Sequence, residues 1–313
     1  MSKALVWAPD ERGMLELLAK ARELQLEPVA LAIGLDGKKL VQHGAAQVLV
    51  VEDAKAKDMQ SGPVTDALAA AAQETGAKVV LLSGGRRGKE IAPRLGAKLK
   101  AGVVTLAQKI KNDGGKLTFE RMFLGGKTVA TEQPLTDVVI ATIPSRIVEP
   151  LPADAGAKGE VKTFAPQMRD AKVRVTQKKP RKDSGVNLEA ATVVIGAGRG
   201  FKTKDDLKLA FDLAQTLGGQ VGCSRPLATD LGWLTDEYWI GLSGKEVKPK
   251  LYVAAGISGQ IQHTTGIRNS KVIVAINTNK DAPIFKMADY GIVGDLYKVL
   301  PALDAAVRKQ LGK

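Results

Sequence analysis

The chain has 313 residues, of which 44% are hydrophobic and 25% charged, and it contains a single cysteine, Cys223. No apolar run reaches the ~20 residues needed to cross a bilayer, and one cysteine excludes an internal disulfide. We therefore expect a protein that is not embedded in a membrane and is long enough for two domains. The first residues lack the pattern of a signal peptide, and a free thiol suits a reducing compartment, so a cytoplasmic location is predicted.

The formal net charge of +13 points first to a nucleic acid partner. Residues 78–127 alone carry twelve Lys or Arg against three acids, Glu90, Asp113 and Glu120. Aromatic residues, however, make up only 4% of the chain, and no zinc-finger or RNA-recognition motif is present. We interpret the basic residues as a solvated face that could meet an acidic partner or substrate, and nucleic acid is the weaker alternative.

Short apolar runs alternate with helical periodicity in the first third of the chain. Strands are predicted at 4–7, 28–33, 48–51 and 79–82, and helices at 13–26 and 65–75. This alternation indicates an α/β domain. The glycine- and arginine-rich stretch 83–89 precedes a helix predicted near Glu90. Two interpretations stay open for it, a phosphate site at a helix start or a plain strand-to-helix turn with a solvated basic rim.

From residue 106 the pattern changes to short segments separated by paired glycines. The segments 107–110, 116–123 and 128–132 predict antiparallel hairpins, and a further strand is predicted at 138–142. Residues 169–182 then carry seven basic residues and Pro180, which is typical of a linker. We therefore predict a domain boundary at about residue 185, with domains spanning 1–185 and 186–313.

The second domain is predicted to begin with a strand at 188–195, a glycine-rich turn at 196–202 and a helix at 204–217. Three glycines between a strand and a helix resemble a dinucleotide-binding fingerprint. Their spacing is Gly-x-Gly-x-Gly, however, and no acidic residue marks the end of the next strand. Nucleotide binding therefore stays open on this turn alone.

Three more strands are predicted at 251–255, 272–276 and 290–293, and each gives way to a loop: Gly256, Asn277 and Gly294-Asp295. A helix is predicted to start after Gly256, with Ser258 as its cap. Ligands of open α/β sheets bind where strands end in such loops, and a helix start there favours an anion such as phosphate.

Residues for catalysis are few. The chain has two histidines, His43 and His263, so a metal site built from His and Cys is excluded. The stretch 256–260 departs from the hydrolase nucleophile elbow, because Gln260 stands where that motif needs glycine. His263 is either a packed histidine or a polar group over a ligand. Hydroxyls, Arg and His without an acid–base pair suit the holding of a cofactor, so no catalytic residue and no metal is predicted.

Between residues 190 and 303, six segments closely resemble the C-terminal FAD domain of the electron transfer flavoprotein alpha subunit. They occur in the same order along the chain as in that family. They are Gly198-Arg-Gly200, Gly222-Cys-Ser-Arg225, Gly241-Leu-Ser-Gly-Lys245, the stretch 250–263, Val274-Ala-Ile-Asn277 and the stretch 282–296. The first domain resembles the family in outline. The resemblance implies an α/β protein of two domains. An N-terminal α/β nucleotide-hydrolase-like domain packs on a beta subunit, and a C-terminal Rossmann-like parallel-sheet domain binds FAD.

Carried over position by position, the resemblance implies sixteen residues in contact with FAD. Near the phosphates and the flavin it places Arg199, Ser224 and Arg225. Along the isoalloxazine it places Ile240, Gly241, Leu242 and Ser243, with the Ser243 hydroxyl near N5. At the pyrophosphate and the pyrimidine side it places Ser258, Gly259, Gln260, Ile261, Gln262 and His263, with His263 near the C2 carbonyl. At the adenosine end it places Asn277, Asp295 and Leu296.

The tuning of the flavin is expected to come from Arg225, Ser243 and His263. Reduction places negative charge on N1 and the C2 carbonyl, so a nearby cation or hydrogen-bond donor raises the potential. Our hypothesis is that Arg225 and His263 do this. The pairs Leu242-Ser243 and Pro226-Leu227 resemble the branch of the family that includes Fix-type and electron-bifurcating proteins.

The resemblance implies a heterodimer whose beta subunit holds AMP or a second FAD. In the first reading the protein is an electron carrier. It takes electrons from acyl-CoA dehydrogenase-type flavoenzymes, as in fatty acid beta-oxidation, and passes them to a quinone oxidoreductase or a Fix-type acceptor. The alternative is a subunit of an NADH-oxidising, electron-bifurcating oxidoreductase with a second FAD in the beta subunit.

Overall fold

The computed structural model describes residues 2–173, 175–177 and 185–312. The chain folds into two compact units, Met1–Lys178 and Lys179–Lys313, which are considered separately below. Of the basic segment 169–182, in which the linker was predicted, residues 174 and 178–182 lie outside the described residues. The boundary at about residue 185 stays a prediction.

The first unit is an α/β domain. In chain order it contains β1 (Lys3–Trp7), α1 (Glu11–Glu23), β2 (Glu27–Ile33), α2 (Gly37–Gln42), β3 (Gln47–Val51), α3 (Ala54–Lys57), α4 (Ser61–Thr75), β4 (Val79–Ser83), α5 (Arg86–Leu99), β5 (Gly102–Val104), β6 (Ala107–Asp113), β7 (Lys116–Phe123), a 3-10 turn (Leu124–Gly126), β8 (Thr128–Glu132), β9 (Val139–Ile143) and β10 (Glu160–Thr163). Seven strands form a parallel sheet in the order β10-β3-β2-β1-β4-β9-β5. The antiparallel order β6-β7-β8 confirms the predicted hairpins.

The central strand β1 shows how the sequence makes this sheet. Ala4 and Val6 are buried on the face that packs on α1, whereas Leu5 and Trp7 are buried on the face covered by α4 and α5. Successive side chains of a strand point to opposite faces, so a strand with helices on both sides must be apolar throughout. The short apolar runs of the sequence are such strands.

The glycine-rich stretch 83–89 is mostly the first turn of a helix. The helix α5 begins at Arg86, not near Glu90 as predicted, and Gly85 is its N-cap. A Cβ atom at Gly88 would overlap the carbonyl of Ser83. The glycine is therefore required because the helix packs directly on the end of β4, which favours the plain strand-to-helix turn over a phosphate site.

The second unit is a parallel sheet with a few helices. In chain order it contains β11 (Val193–Ala197), a 3-10 turn (Asp205–Leu207), α6 (Lys208–Thr216), β12 (Gln220–Cys223), a π-helical turn (Pro226–Asp230), a 3-10 turn (Asp236–Tyr238), β13 (Leu251–Ala255), α7 (Ile261–Thr264), β14 (Val272–Asn277), a 3-10 turn (Pro283–Lys286), β15 (Tyr290–Val293) and α8 (Leu296–Leu311). The strand order is β12-β11-β13-β14-β15. The predicted Rossmann-like parallel sheet is confirmed.

Two predictions in this unit were wrong. The first strand begins at Val193 rather than residue 188, because the amide of Ala190 bonds the Asn187 side chain and forms a turn there. Ser258 caps no helix: α7 has four residues, begins at Ile261 and follows Gln260. The carbonyl of Ser258 instead accepts a hydrogen bond of 3.1 Å from the amide of Ile284, which holds the segment against a neighbouring turn.

Within the described ranges, no helix is both long enough and apolar enough to span a bilayer.

Candidate cofactor site

The loops that follow β11 and β13 meet at the edge of the second sheet. The amide of Gly198 donates a hydrogen bond of 2.9 Å to the carbonyl of Ala255, and the amide of Gly200 donates one of 3.0 Å to the carbonyl of Gly256. The chain moves from β11 to β12 on one side and returns to β13 on the other. This is the switch point at which open α/β sheets form a crevice for ligands.

The glycines of this turn are explained by the contact between the two loops. A Cβ atom at Gly198 would overlap the carbonyl of Gly256, and one at Gly200 would lie 2.7 Å from the Gly256 Cα. Gly256 itself has φ of +64°, a conformation that favours glycine. The Gly-x-Gly-x-Gly spacing therefore fits a close approach of two backbones, which accounts for its departure from the usual dinucleotide fingerprint.

A second backbone contact brings two predicted segments side by side. The amide of Leu242 donates a hydrogen bond of 2.7 Å to the carbonyl of Gln262. A Cβ atom at Gly266 would lie 2.6 Å from the amide nitrogen of Gly241, so only glycine permits this packing. The stretch 240–243 thus lies against α7, which carries His263.

These loops enclose an open cavity of about 360 Å³. Ten of the sixteen predicted contacts line it: Arg199, Ser224, Arg225, Ile240, Leu242, Ser243, Ser258, Gln260, Gln262 and His263. Its size lies at the lower end of the range for small-molecule sites. Residues that are far apart in the sequence are therefore brought together at one pocket, as the resemblance implied.

Sequence reasoning missed three lining residues, Pro226, Trp239 and Ile257. Pro226 directly follows Arg225, and Trp239 directly precedes the predicted stretch 240–243. Adjacency to two predicted segments was the signal that could have found them. Ile257 gave no such signal, because its buried side chain resembles any other core residue.

Six predicted contacts do not line this cavity: Gly241, Gly259, Ile261, Asn277, Asp295 and Leu296. The Asn277 amide donates a hydrogen bond of 2.9 Å to the carbonyl of Ile257, and Asp295 caps α8 by accepting one of 3.0 Å from the amide of Tyr297. Leu296 is buried in the core. Asn277 ends β14, and Asp295 and Leu296 come shortly after β15, so the three residues lie further along the carboxyl end of the same sheet.

His263 is buried in the cavity wall, with 7% of its surface exposed. Burial lowers the pKa of its imidazole to about 4, and the backbone of Ile240, which favours the protonated ring, offsets only part of that effect. Nε2 lies 2.9 Å from the hydroxyl of Tyr252. Nδ1 is also buried, and the backbone of Ile240 serves as a hydrogen-bond acceptor for the ring. The ring is therefore neutral at physiological pH.

Two guanidinium groups supply the positive charge of the cavity. Arg225 is exposed, and its guanidinium carbon lies 5.8 Å from the ring centroid of Trp239, a cation–π contact that holds the side chain over the pocket. Arg199 is the other charged residue in the wall, and no Asp or Glu is among the lining residues that the structure describes. The cavity therefore suits a ligand that carries negative charge.

The chemistry of the lining fits FAD. The hydroxyl-bearing side chains of Ser224, Ser243 and Ser258 line the cavity and suit a ligand with carbonyl and ring-nitrogen acceptors, and the guanidinium groups suit phosphates. The described part of the chain contains no cluster of His, Cys, Asp and Glu that could hold a metal ion. The arrangement can hold and tune a cofactor, and it provides no acid–base pair for attack on a substrate.

Comparisons with known proteins identify the family. The family described as "Electron transfer flavoprotein domain" matches residues 11–168, and the one described as "Electron transfer flavoprotein FAD-binding domain" matches residues 187–268. Among curated proteins, Protein FixB of Escherichia coli O17:K52:H18 and of Escherichia coli O157:H7 are each 36% identical over 98% of this chain and 99% of their own. Protein FixB of Shigella flexneri has the same identity and coverage.

The fold and these matches define the class of protein, an alpha subunit of an electron transfer flavoprotein. The chain belongs to the electron transfer flavoprotein alpha family, and within it to the Fix type. Membership in this family implies a heterodimer with a beta subunit.

Proposed function

We propose that this chain is the FAD-binding alpha subunit of an electron carrier, and that the cavity beside His263 and Arg225 holds the flavin. The observation that carries the proposal is the composition of the cavity wall, which has hydrogen-bond donors and two cations but no acid–base pair. FAD, when bound, supplies one-electron and two-electron transfer. The protein is then a carrier more than a stand-alone catalyst.

The residues of this chain would bind, orient and tune the cofactor. Arg199 would neutralise phosphate charge, while the hydroxyls of Ser224 and Ser243 would donate to the ring system. Arg225 would supply the positive charge that favours the reduced flavin. Because its pKa is low, His263 would stand beside the flavin as a neutral group, which modifies the expectation that both residues contribute charge.

The adenosine end is proposed to extend along the sheet edge past β14 and β15. Asn277 and Asp295 lie at the ends of these two strands, and Asp295 is exposed. A carboxylate at that place could accept hydrogen bonds from ribose hydroxyls. Leu296, which follows Asp295 in the chain, would contribute apolar contact.

The partners are proposed from the family. Electrons would come from acyl-CoA dehydrogenase-type flavoenzymes, which links the protein to fatty acid beta-oxidation, and would pass to a quinone oxidoreductase or a Fix-type acceptor. We place the protein in the cytoplasm, because the one thiol, Cys223, is buried and free. Nucleic acid is not proposed as a partner.

The alternative function is one half of an NADH-oxidising, electron-bifurcating flavoprotein. Similarity to Fix-type relatives over almost the whole chain favours it, since the sequence resemblance grouped Fix-type with bifurcating members. In that case the beta subunit would hold a second FAD in place of AMP.

The nucleotide content of the purified heterodimer tests both functions. The chain would be purified with its natural beta subunit, the nucleotides released by denaturation, and FAD and AMP quantified per heterodimer. One FAD with one AMP supports the simple carrier. Two FAD without AMP supports bifurcation, and NADH titration would follow. A heterodimer without FAD contradicts both functions.

A further inference from the structure

The start of α8 lies against the contact between the loops after β11 and β13. A Cβ atom added at Gly200 would lie 3.0 Å from Cδ2 of Leu296, and one added at Gly256 would lie 2.9 Å from the same atom. Leu296 therefore packs on the two glycines that join these loops. Because Leu296 comes shortly after β15, three loops at the carboxyl end of the second sheet meet at this point.

Hydrogen bonds of Tyr297 fasten the same helix start to the turn after β11. The Tyr297 hydroxyl accepts a hydrogen bond of 2.7 Å from the amide of Lys202 and donates one of 2.7 Å to the Asp206 carboxylate. That carboxylate also accepts a hydrogen bond of 2.9 Å from the amide of Thr203. The two amides directly follow the glycine-rich turn, so one hydroxyl joins the end of this turn to the first turn of α8.

We propose that Tyr297 is a positioning residue for the adenosine diphosphate part of the cofactor. Its hydroxyl holds the turn that carries Arg199 against the start of α8, where the N-cap Asp295 is exposed. Tyr297 is not among the lining residues of the cavity and would act only through these two segments. The proposal rests on the proposed function, because it assumes that FAD lies along this end of the sheet.

The directions of these hydrogen bonds agree with the charges of the two groups. Burial and the hydrogen bond to Asp206 raise the pKa of Tyr297, so the phenol keeps its proton and donates it. The hydrogen bonds from Tyr297 and Thr203 lower the pKa of Asp206, so this carboxylate is ionised at physiological pH and accepts. The lone pairs of the phenol oxygen remain available for the amide of Lys202. A hydrogen bond to an ionised acceptor is stronger than one between neutral groups.

The consequence is a fixed spacing between a cation and a carboxylate. In the proposed function FAD reaches from its phosphates at Arg199 to its adenosine end at Asp295. A site that is already ordered binds its ligand more tightly than one that must be ordered on binding. Ser224 and Ser243, which are proposed to face the flavin ring, lie on other loops. Tyr297 should therefore affect the affinity for FAD and leave the redox properties of the flavin unchanged.

The test compares Tyr297→Phe with the unmodified protein in the FAD-loaded heterodimer. Phenylalanine keeps the edge contact with the Phe201 ring and the cation–π contact with Lys202, and it removes only the hydroxyl. FAD affinity should weaken about fivefold. The phosphorus NMR signals of the bound FAD should shift, whereas its reduction potential and visible spectrum should not. A general loss of stability would leave the phosphorus signals where they are.

Two further variants serve as controls. Tyr290→Phe is the matched control, because Tyr290 lies on β15 of the same sheet with its side chain exposed. It should change neither the affinity nor the phosphorus signals. Asp206→Asn keeps the shape of the acceptor and removes its charge, so FAD affinity should weaken by a smaller factor. Because both substitutions act on one hydrogen bond, the double variant should bind FAD no more weakly than Tyr297→Phe.

Unchanged FAD affinity in Tyr297→Phe would overturn the proposal. A weaker affinity would also overturn it if the phosphorus signals stay constant, if the reduction potential shifts, or if the losses add in the double variant. Failure of the proposed function would look different. The purified heterodimer would then hold no FAD, or Arg199→Ala, a change in the cavity wall itself, would leave FAD affinity unchanged.

Discussion

The amide of Gly200 donates a hydrogen bond of 3.0 Å to the carbonyl of Gly256, which joins the loops after β11 and β13 at the point where the order of the second sheet reverses. This contact shapes the floor of the cavity, since both Arg199 and Ser258 line the pocket from these loops. The backbone geometry of the glycines should therefore control cofactor binding even where a glycine touches no ligand.

Gly198→Ala should weaken FAD binding about tenfold or more and lower the free energy of unfolding by about 2 kcal/mol, because the added methyl group overlaps the Gly256 carbonyl and forces the loops apart. Flavin content after gel filtration and denaturant unfolding measure the two effects. Gly85→Ala is the control, since a Cβ atom there meets nothing within 4 Å. Equal flavin content in both variants would contradict this reading of the glycines.

Arg225→Ala should lower the reduction potential of the bound flavin by on the order of 30 mV, which for two electrons corresponds to about 1.4 kcal/mol. The reason is the loss of a permanent positive charge that the Trp239 ring holds over the cavity. Arg225→Lys keeps the positive charge but loses the planar contact with Trp239. The reduction potential of this variant should lie between those of the unmodified protein and Arg225→Ala. Potentiometric titration measures the series, and an unchanged potential in Arg225→Ala would refute the assignment.

His263 should remain neutral from pH 8 to pH 5, and its ring should titrate with a midpoint near the pKa of about 4. Burial disfavours the charged form in the folded state, so the unfolded state binds more protons between about pH 6.5 and pH 4. Stability should therefore be full above pH 6.5 and fall on acidification, by on the order of 3 kcal/mol at pH 4. The His263→Gln variant should not show this loss of stability on acidification. NMR titration measures the pKa of the ring in the unmodified protein, and denaturant unfolding at several pH values compares the stability of the two proteins.

Asp66→Asn should lower the stability of the first unit by about 2 kcal/mol. The Asp66 side chain is 5% exposed and accepts hydrogen bonds of 2.7 and 2.8 Å from the Arg169 guanidinium, one of 3.0 Å from the Arg169 amide and another from Lys98. These bonds, with Arg169 first, hold the pKa of Asp66 well below its usual range.

The pH dependence of that variant follows from the sign of the pKa shift. Because the pKa of Asp66 is lower in the folded state, its ionised carboxylate stabilises the fold at every pH above the pKa of the unfolded chain, which is near 4. This contribution to stability is lost as the pH falls through the pKa of the folded state. The difference between the unmodified protein and Asp66→Asn should therefore be constant at neutral pH and shrink below about pH 4. Asp170 forms an exposed ion pair with Lys55, so the Asp170→Asn variant should have nearly the same stability as the unmodified protein at any pH.

Most strands of the two parallel sheets could be predicted from the sequence because they are short apolar runs. No strand was predicted at β5 or β10, and β10 has the polar sequence Glu-Val-Lys-Thr. The predicted runs 251–255 and 290–293 coincide with β13 and β15. A strand such as β13, which is covered on both sides, is buried along almost its whole length, and this requirement is visible in composition. The edge strand β15 is apolar but exposed, so burial in this unit does not explain its composition.

The site was harder to predict from the sequence than the strands, because its geometry depends on contacts between distant segments. The helix predicted after Gly256 does not form there, since Ser258 bonds Ile284 instead. The pairing of Tyr252 with His263 depends on how α7 packs on the face of β13, and no local pattern reveals it. The resemblance supplied the cavity residues, but Trp239 emerged only from the fold.

The location of the flavin is the central claim, and a crystal structure of the heterodimer purified with FAD tests it most directly. Density for the isoalloxazine ring is expected in the cavity lined by Ser224, Ser243 and His263. Density for FAD at another place on the protein, with this cavity unchanged, would contradict the account.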